Sequence, residues 1–234
     1  MPHASTPGLD QLLQQAQDLS QPTWVPVHRT LFSDSLTPVL AYRRLVRGDD
    51  RMAPSFLFES VVDGDSAARY SYMGVKPRAE FLVYGHDVEL TDHGSGQTVS
   101  WTSENPLDDL ERQATGIGYL PDPALPDFTG GWVGFVGYDT VRYGEPEMLN
   151  NPPQDDRGLP DIHLQQVLDL VAFDQARKTV LVISHALVGP DHDTTEAYAE
   201  AERRLDELTK RLAHRPSHLD QNQDELVTTP IDLA

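Results

Sequence analysis

Apolar positions along this chain switch between two periods, and the expected elements follow from them. Leu9, Leu12, Leu13, Ala16 and Leu19 recur at helical spacing, which predicts an amphipathic helix over 9–19 that ends at Gln21-Pro22. Residues 25–32 read as a strand. Thr37 is a suitable N-cap and Pro38 a suitable first helical residue, opening a helix through Val46 that stops at Gly48. Residues 55–62 and 69–75 read as strands around the turn cluster Asp63-Gly64-Asp65-Ser66. A hairpin is expected over 79–84 and 87–91 about Gly85-His86, with a further strand over 98–102. Asn105 and Pro106 open a short helix carrying Leu107, Leu110 and Ala114, closed by Gly116 and Gly118. A glycine-studded strand comes next over 131–138, then a loop over 144–160 rich in Pro, Asn and acid. Residues 164–173 and 179–185 form a hairpin about Asp174-Gln175-Ala176-Arg177. The last helix, 194–213, lines up Ala197, Ala201, Leu205, Leu208 and Leu212.

Strands in succession, with helices set between them, argue an α+β fold with a largely antiparallel sheet. No internal repeat is visible. Residues 1–213 are expected to form one domain. Residues 214–234 are polar and aperiodic, as in a linker or disordered tail.

The strand over 55–62 carries the most informative chemistry. Alternation puts Phe56, Phe58, Ser60 and Val62 on one face and Leu57, Glu59 and Val61 on the other. Both faces are mostly apolar, so the strand reads as central and buried. A carboxylate and a hydroxyl buried there need hydrogen-bond partners or a ligand. A neighbouring Arg for Glu59 and a backbone group for Ser60 would satisfy them without any function.

Charge narrows the partners. The chain has 234 residues, 18 basic and 37 acidic, for a formal net charge of −19. That disfavours nucleic acid and anionic membrane, which need basic patches. There is no cysteine, so no disulfide framework or thiolate metal site is available. No apolar leader or 18-residue apolar run is visible, and a cytoplasmic protein is the simplest expectation.

Other candidates read more simply as structure. Gly130, Gly131, Gly134 and Gly137 do not spell a phosphate loop and do not open a helix, so they favour close backbone packing. Asp191-His192-Asp193, and His214 with His218 across Pro216, read as solvated loops rather than metal ligands. Glu145, Glu147, Asp155 and Asp156 read as solvated acids. No nucleophile motif is visible, and adjacent Glu59 and Ser60 point to opposite faces, so they form no catalytic dyad.

Several segments, taken in order, resemble the anthranilate synthase component I family. Phe56-Leu57-Phe58-Glu59-Ser60, followed by Arg69-Tyr70-Ser71-Tyr72-Met73-Gly74, resembles its Leu-Leu-Glu-Ser strand and Arg-Tyr-Ser-Phe segment. Val25-Pro26-Val27-His28-Arg29 leading to Leu36-Thr37-Pro38-Val39 resembles its opening strand and first long helix. Gly130-Gly131-Trp132-Val133-Gly134-Phe135-Val136-Gly137-Tyr138-Asp139, with Val141-Arg142-Tyr143, resembles its glycine-rich strand and turn. Leu159-Pro160-Asp161 and the apolar strand after it continue the match. Three matches in order are specific where each alone is modest.

The resemblance implies the amino-terminal half of such an enzyme, with a β-sandwich-like core flanked by helices. The full enzyme converts chorismate and an ammonia source to anthranilate and pyruvate, as a magnesium-dependent lyase of tryptophan biosynthesis. Its partners are a glutamine amidotransferase subunit and the chorismate-binding catalytic domain. The catalytic half's motifs (Asn-Pro-Ser-Pro-Tyr-Met, Gly-Thr-Arg-Pro-Arg-Gly and Leu-Gly-Arg-Asn-Asp) do not occur here. The chain is therefore expected to be a truncated chain, a split gene product or a fragment of a longer protein, inactive alone. No catalytic residue, metal ligand or cofactor is expected in it, magnesium belonging to the missing half. In the family the Glu-Ser pair lines the feedback site for L-tryptophan, which implies Glu59 and Ser60, with Arg69 and Ser71 in the neighbouring motif. An indole suits an apolar slot, and an α-ammonium suits carboxylate and hydroxyl acceptors. The same half of aminodeoxychorismate synthase, and a free-standing amino-acid-binding module, remain alternatives.

Overall fold

Side-chain caps fix two of the helix starts. Thr37 Oγ1 accepts from Leu40 N at 3.2 Å ahead of α2 (Pro38–Leu45). Asn105 Oδ1 accepts from Leu107 N at 3.2 Å ahead of α3 (Pro106–Thr115). Each helix has Pro in its first turn, where a missing N–H leaves no bond unmade. The computed structural model describes residues 6–32, 35–46, 54–59, 69–145, 147–148, 151 and 155–213.

Its other elements, in chain order, are α1 (Leu9–Gln17), β1 (Thr23–Phe32), β2 (Ser55–Phe58), β3 (Tyr70–Val75), β4 (Ala79–Tyr84), β5 (Asp87–Asp92), β6 (Gln97–Thr102), β7 (Gly118–Tyr119), β8 (Gly131–Val136), α4 (Val141–Gly144), β9 (Ile162–Val167), β10 (Leu170–Asp174), β11 (Thr179–Val188) and α5 (Thr194–Ala213). The strands form two sheets. One has the order β2-β3-β10-β11-β1-β7 and the other β6-β5-β4-β9-β8. Among the described residues only the β1–β7 pairing is parallel. The fold is α+β and largely antiparallel, as the pattern of elements predicts. Among the described residues no helix is long and apolar enough to cross a membrane.

The six-stranded sheet is covered on one face by helices. Leu12 of α1, Ala41 and Leu45 of α2, and Ala201, Leu205, Leu208 and Leu212 of α5 pack on Val25, Val27, Met73, Val171, Val182 and Ala186. Arg29, buried on that face, donates to Glu202 and Asp206 of α5 at 2.5 Å each, which ties β1 to the helix by charge as well as packing. The other face carries Phe56, Leu170, Ala172, Leu181 and Ile183, joined by Val133 and Val167 from the second sheet and by Leu125 and Phe128. A third core, Phe81, Val83, Val88, Ile162 and Leu164, packs against Leu107 and Leu110 of α3.

Three readings of the sequence change. Residues 164–173 are not one strand. The chain breaks at Leu168-Asp169 and passes from β9 in one sheet to β10 in the other. A mostly apolar run without Gly or Pro hides this, because both sheets present apolar faces to a shared core. The strand opening at Ser55 is not central but the edge of its sheet, ends at Phe58, and leaves Phe58 52% exposed. Its two apolar faces are real: Leu57 packs on the helix-side core and Phe56 on the other. Two covered faces do not require two neighbouring strands. The short α4, which falls between the expected glycine-rich strand and the loop that begins at 144, and the two-residue β7 are too brief to leave a periodic signal. The turn at 63–66 and the tail at 214–234 lie outside the described residues.

Gly130, Gly134 and Gly137 of the third motif do pack closely, whereas a Cβ on Gly131 would meet nothing within 4 Å, and that glycine serves instead a backbone φ of +126°. A Cβ on Gly130 would lie 2.8 Å from the Val167 carbonyl oxygen, and one on Gly134 would run into the His163 carbonyl. Leu205, fully buried beneath α5, makes the helix–sheet packing testable. Leu205→Ala should lower the free energy of unfolding by about 3 kcal/mol, read from urea denaturation at neutral pH. A change under about 1 kcal/mol would mean that α5 does not seal this core.

Candidate ligand site at the sheet edge

The motif segments meet where β2 lies against β3, with Phe58 opposite Tyr72 and Phe56 opposite Gly74. Gly74 is required there. A Cβ at that position would fall 2.5 Å from the Phe56 ring and 2.7 Å from Val167. Its absence lets Phe56 lie down on the strand. The result is an aromatic surface. Phe56 and Phe58 are 4.9 Å apart between ring centroids, Tyr70 and Tyr72 5.8 Å, and Tyr72 meets Phe128 edge-on at 5.4 Å. Burial pushes the Tyr72 phenol up to about 12, so it stays a neutral hydrogen-bonding group at any physiological pH. Phe128 comes from the loop after β7, whose residue types carried no periodic signal. A lone aromatic in a Pro- and Asp-rich stretch was the only hint of it.

The predicted site residues have separate situations. Glu59 follows β2 directly and is exposed, not held inside a strand. Ser60 lies outside the described residues. Ser71 is fully buried in β3, on the helix side with Met73 and Val75, and its Oγ has no hydrogen-bond partner among the described residues. Arg69 enters β3 with its side chain committed. Nε and Nη2 donate to the two oxygens of Asp174 at 3.0 and 2.6 Å, and the guanidinium lies 4.8 Å over the Tyr70 ring.

Asp174 is buried at the end of β10, and its partner Arg69 was not legible from a sequence separation of 105. It also accepts from the backbone N–H groups of Ala176 and Arg177 at 3.1 Å, closing the β10–β11 turn. The Arg69 hydrogen bonds, helped by those amides, hold the Asp174 carboxyl below its usual range. The arrangement makes Arg69 a clamp: it fixes the start of β3, and with it Tyr70 and Tyr72, to the far turn.

A groove of about 500 Å³ opens elsewhere, between α5 and the crossovers from β3 to β4 and from β9 to β10. Its charges are paired internally, Lys76 with Glu207, Arg203 with Glu200 and Arg204 with Asp169. The motif residues do not line it.

The Asp174 clamp gives a pH-dependent prediction. A depressed carboxyl contributes stability that is complete above its ordinary pKa near 4 and is lost as pH falls through the folded value. Asp174→Asn should cost roughly 2 kcal/mol at pH 7 and less at pH 2, because the wild-type advantage fades as pH falls toward and through the depressed folded value. Urea midpoints for both proteins at the two pH values would test it. Equal losses at both would remove the charge from the explanation.

No protein-family model matches the chain. Curated relatives do. The chain is 42% identical over 202 residues to the chloroplastic anthranilate synthase alpha subunit 2 of Arabidopsis thaliana, covering 80% of this chain and 31% of that protein. It is 43% identical over 194 residues to the chloroplastic alpha subunit 1 of Oryza sativa subsp. indica, covering 80% and 34%. A probable anthranilate synthase component 1 of Schizosaccharomyces pombe is 34% identical over 203 residues, covering 86% and 37%. Among solved structures, anthranilate synthase component I from Streptococcus pneumoniae TIGR4 superposes with a TM-score of 0.50 at 25% identity, covering 80% of this chain and 37% of that one. The chain thus spans about a third of the length of the relatives it matches.

Proposed function

From the chain's homology to the amino-terminal part of anthranilate synthase component I, we propose that it is the regulatory portion of such an enzyme and supplies one wall of an L-tryptophan feedback site. The supporting observation is the edge itself. Phe58, 52% exposed, and the partly buried Tyr72 present aromatic surface over the buried Phe56 ring at a sheet edge that has no further strand partner among the described residues, and the Glu59 carboxylate follows it directly. Aromatic surface suits an indole, and a carboxylate suits an α-ammonium. Ser60, next in the motif, would add a hydroxyl acceptor. Arg69 serves this site through position, by clamping β3, while Ser71 is its buried neighbour on the opposite side of the strand.

Chorismate, the amidotransferase subunit and magnesium belong in this reading to the rest of the enzyme. Inhibition then requires tryptophan to favour one arrangement of the two parts over another, because a ligand with equal affinity for both shifts nothing. No observation on this chain favours the aminodeoxychorismate synthase alternative over this reading.

Two measurements test it. The purified 234-residue chain should form no anthranilate from chorismate, ammonia and magnesium, followed by fluorescence. Anthranilate production by the chain alone would overturn the assignment. Joined to the chorismate-binding part of a homologous component I, it should confer inhibition by L-tryptophan, and Ser60→Phe should weaken that inhibition by about tenfold or more while changing uninhibited turnover little. Unaltered inhibition in that variant would remove Ser60 from the site.

A further inference from the structure

β8 ends the second sheet, and its outer edge has no strand partner among the described residues. An open edge presents a row of N–H and C=O groups, and chains commonly blunt it with charged or polar residues or with proline. The opposite edge of the same sheet is blunted in this way, since β6 carries Gln97, Thr98, Ser100 and Thr102. β8 reads Gly-Trp-Val-Gly-Phe-Val, without one charged residue in a chain of net charge −19. Both of its faces are half open at the end of the strand, with Phe135 47% and Val136 48% exposed. The apolar surface continues past the strand. Tyr138 is 91% exposed and Leu159 62%. Gly137 N donates to Asp161 O at 2.7 Å, which holds those two segments side by side. Apolar side chains grouped around an open edge mark an interaction surface, whereas scattered ones would not.

We propose that the β8 edge, with Phe135, Val136, Tyr138 and Leu159, is the surface on which the remaining part of a component I polypeptide docks, adding a strand beside β8. The proposal rests on the family reading under Proposed function. Two observations favour this occupant over a second copy of the chain. About two-thirds of each relative's length lies outside the part this chain matches, tethered to it and so present at high effective concentration. Two copies meeting across the edge would instead bring together two bodies of net charge −19, which repel. A strand added in the plane of the sheet also projects side chains to both faces, and so can cover Phe135 on one and Val136 on the other.

The test combines the chain with the chorismate-binding part of a homologous component I and measures association for three versions. Wild type should bind. Val136→Lys with Tyr138→Asp should weaken binding by about tenfold or more, while Ser100→Lys on the β6 edge should stay within about twofold. Hydrogen exchange on the wild-type pair supplies a reading that does not depend on a variant's folding: amides of residues 131–136 should slow only in the complex. Equal binding by the double variant, or unchanged exchange at 131–136 in the complex, would overturn the proposal. Dimerisation of the isolated chain that Val136→Lys abolishes would overturn it too, by giving the edge to a second copy. Failure of the wild-type chain to bind would overturn the family reading along with it, and that result differs from binding through another surface.

Discussion

A closed circuit of hydrogen bonds at the crossover between the sheets holds the architecture together. Asp169 accepts from Ser184 Oγ at 2.6 Å and from Arg204 Nε at 3.0 Å. Arg204 also donates to the His185 carbonyl at 2.6 Å, and His185 Nδ1 donates to the Leu168 carbonyl at 2.7 Å. Burial keeps the His185 imidazole below its ordinary pKa, so the neutral ring can make that bond without a charge to solvate. The circuit joins the β9–β10 crossover, the middle of β11 and the helix α5. It sets where β10 begins, hence its register with β3, and hence where Arg69, Tyr70 and Tyr72 stand. Each member is held by others, so losing one leaves buried polar groups without partners.

Helices were the most legible part of the sequence. Thr37 and Asn105 cap the helices that their residue types predict, and the final helix runs from Thr194 to Ala213 as its stripe of Ala and Leu indicates. A cap is a local interaction, so local sequence specifies it. Sheet membership is not local. Nothing in Leu164–Phe173 says that the chain changes sheets at Asp169, because the residues that hold the break, Ser184 and Arg204, lie 15 and 35 positions away. Likewise the alternation at β2 established two apolar faces, and only the pairing partners decide whether a strand lies inside a sheet or at its edge.

The candidate site was legible by residue type and not by arrangement. Phe56, Phe58 and Glu59 stand out as an apolar run broken by a charge, and they gather at one edge. Arg69 stands out only through the family resemblance, as part of the motif next to the Glu-Ser pair. Its actual partner, Asp174, closes a turn far along the chain, so its part is to hold β3 in place. Phe128 completes the aromatic surface from a loop without pattern. Two of the sheet edges among the described residues, β2 and β8, also differ in kind. At β2 an aromatic surface adjoins a carboxylate, a mixture suited to a small amphiphilic ligand. At β8 the strand itself carries no charge and ends in half-exposed Phe135 and Val136, suited to another polypeptide.

The proposed role of the β2–β3 edge as one wall of a tryptophan site is open to a direct test. Hydrogen exchange on the chain assembled with a chorismate-binding partner, with and without saturating L-tryptophan, reads that edge itself. The account predicts slowed exchange at residues 56–59 and 70–72 when tryptophan is present, with β6 unchanged. Inhibition by tryptophan accompanied by no change at those residues would contradict it.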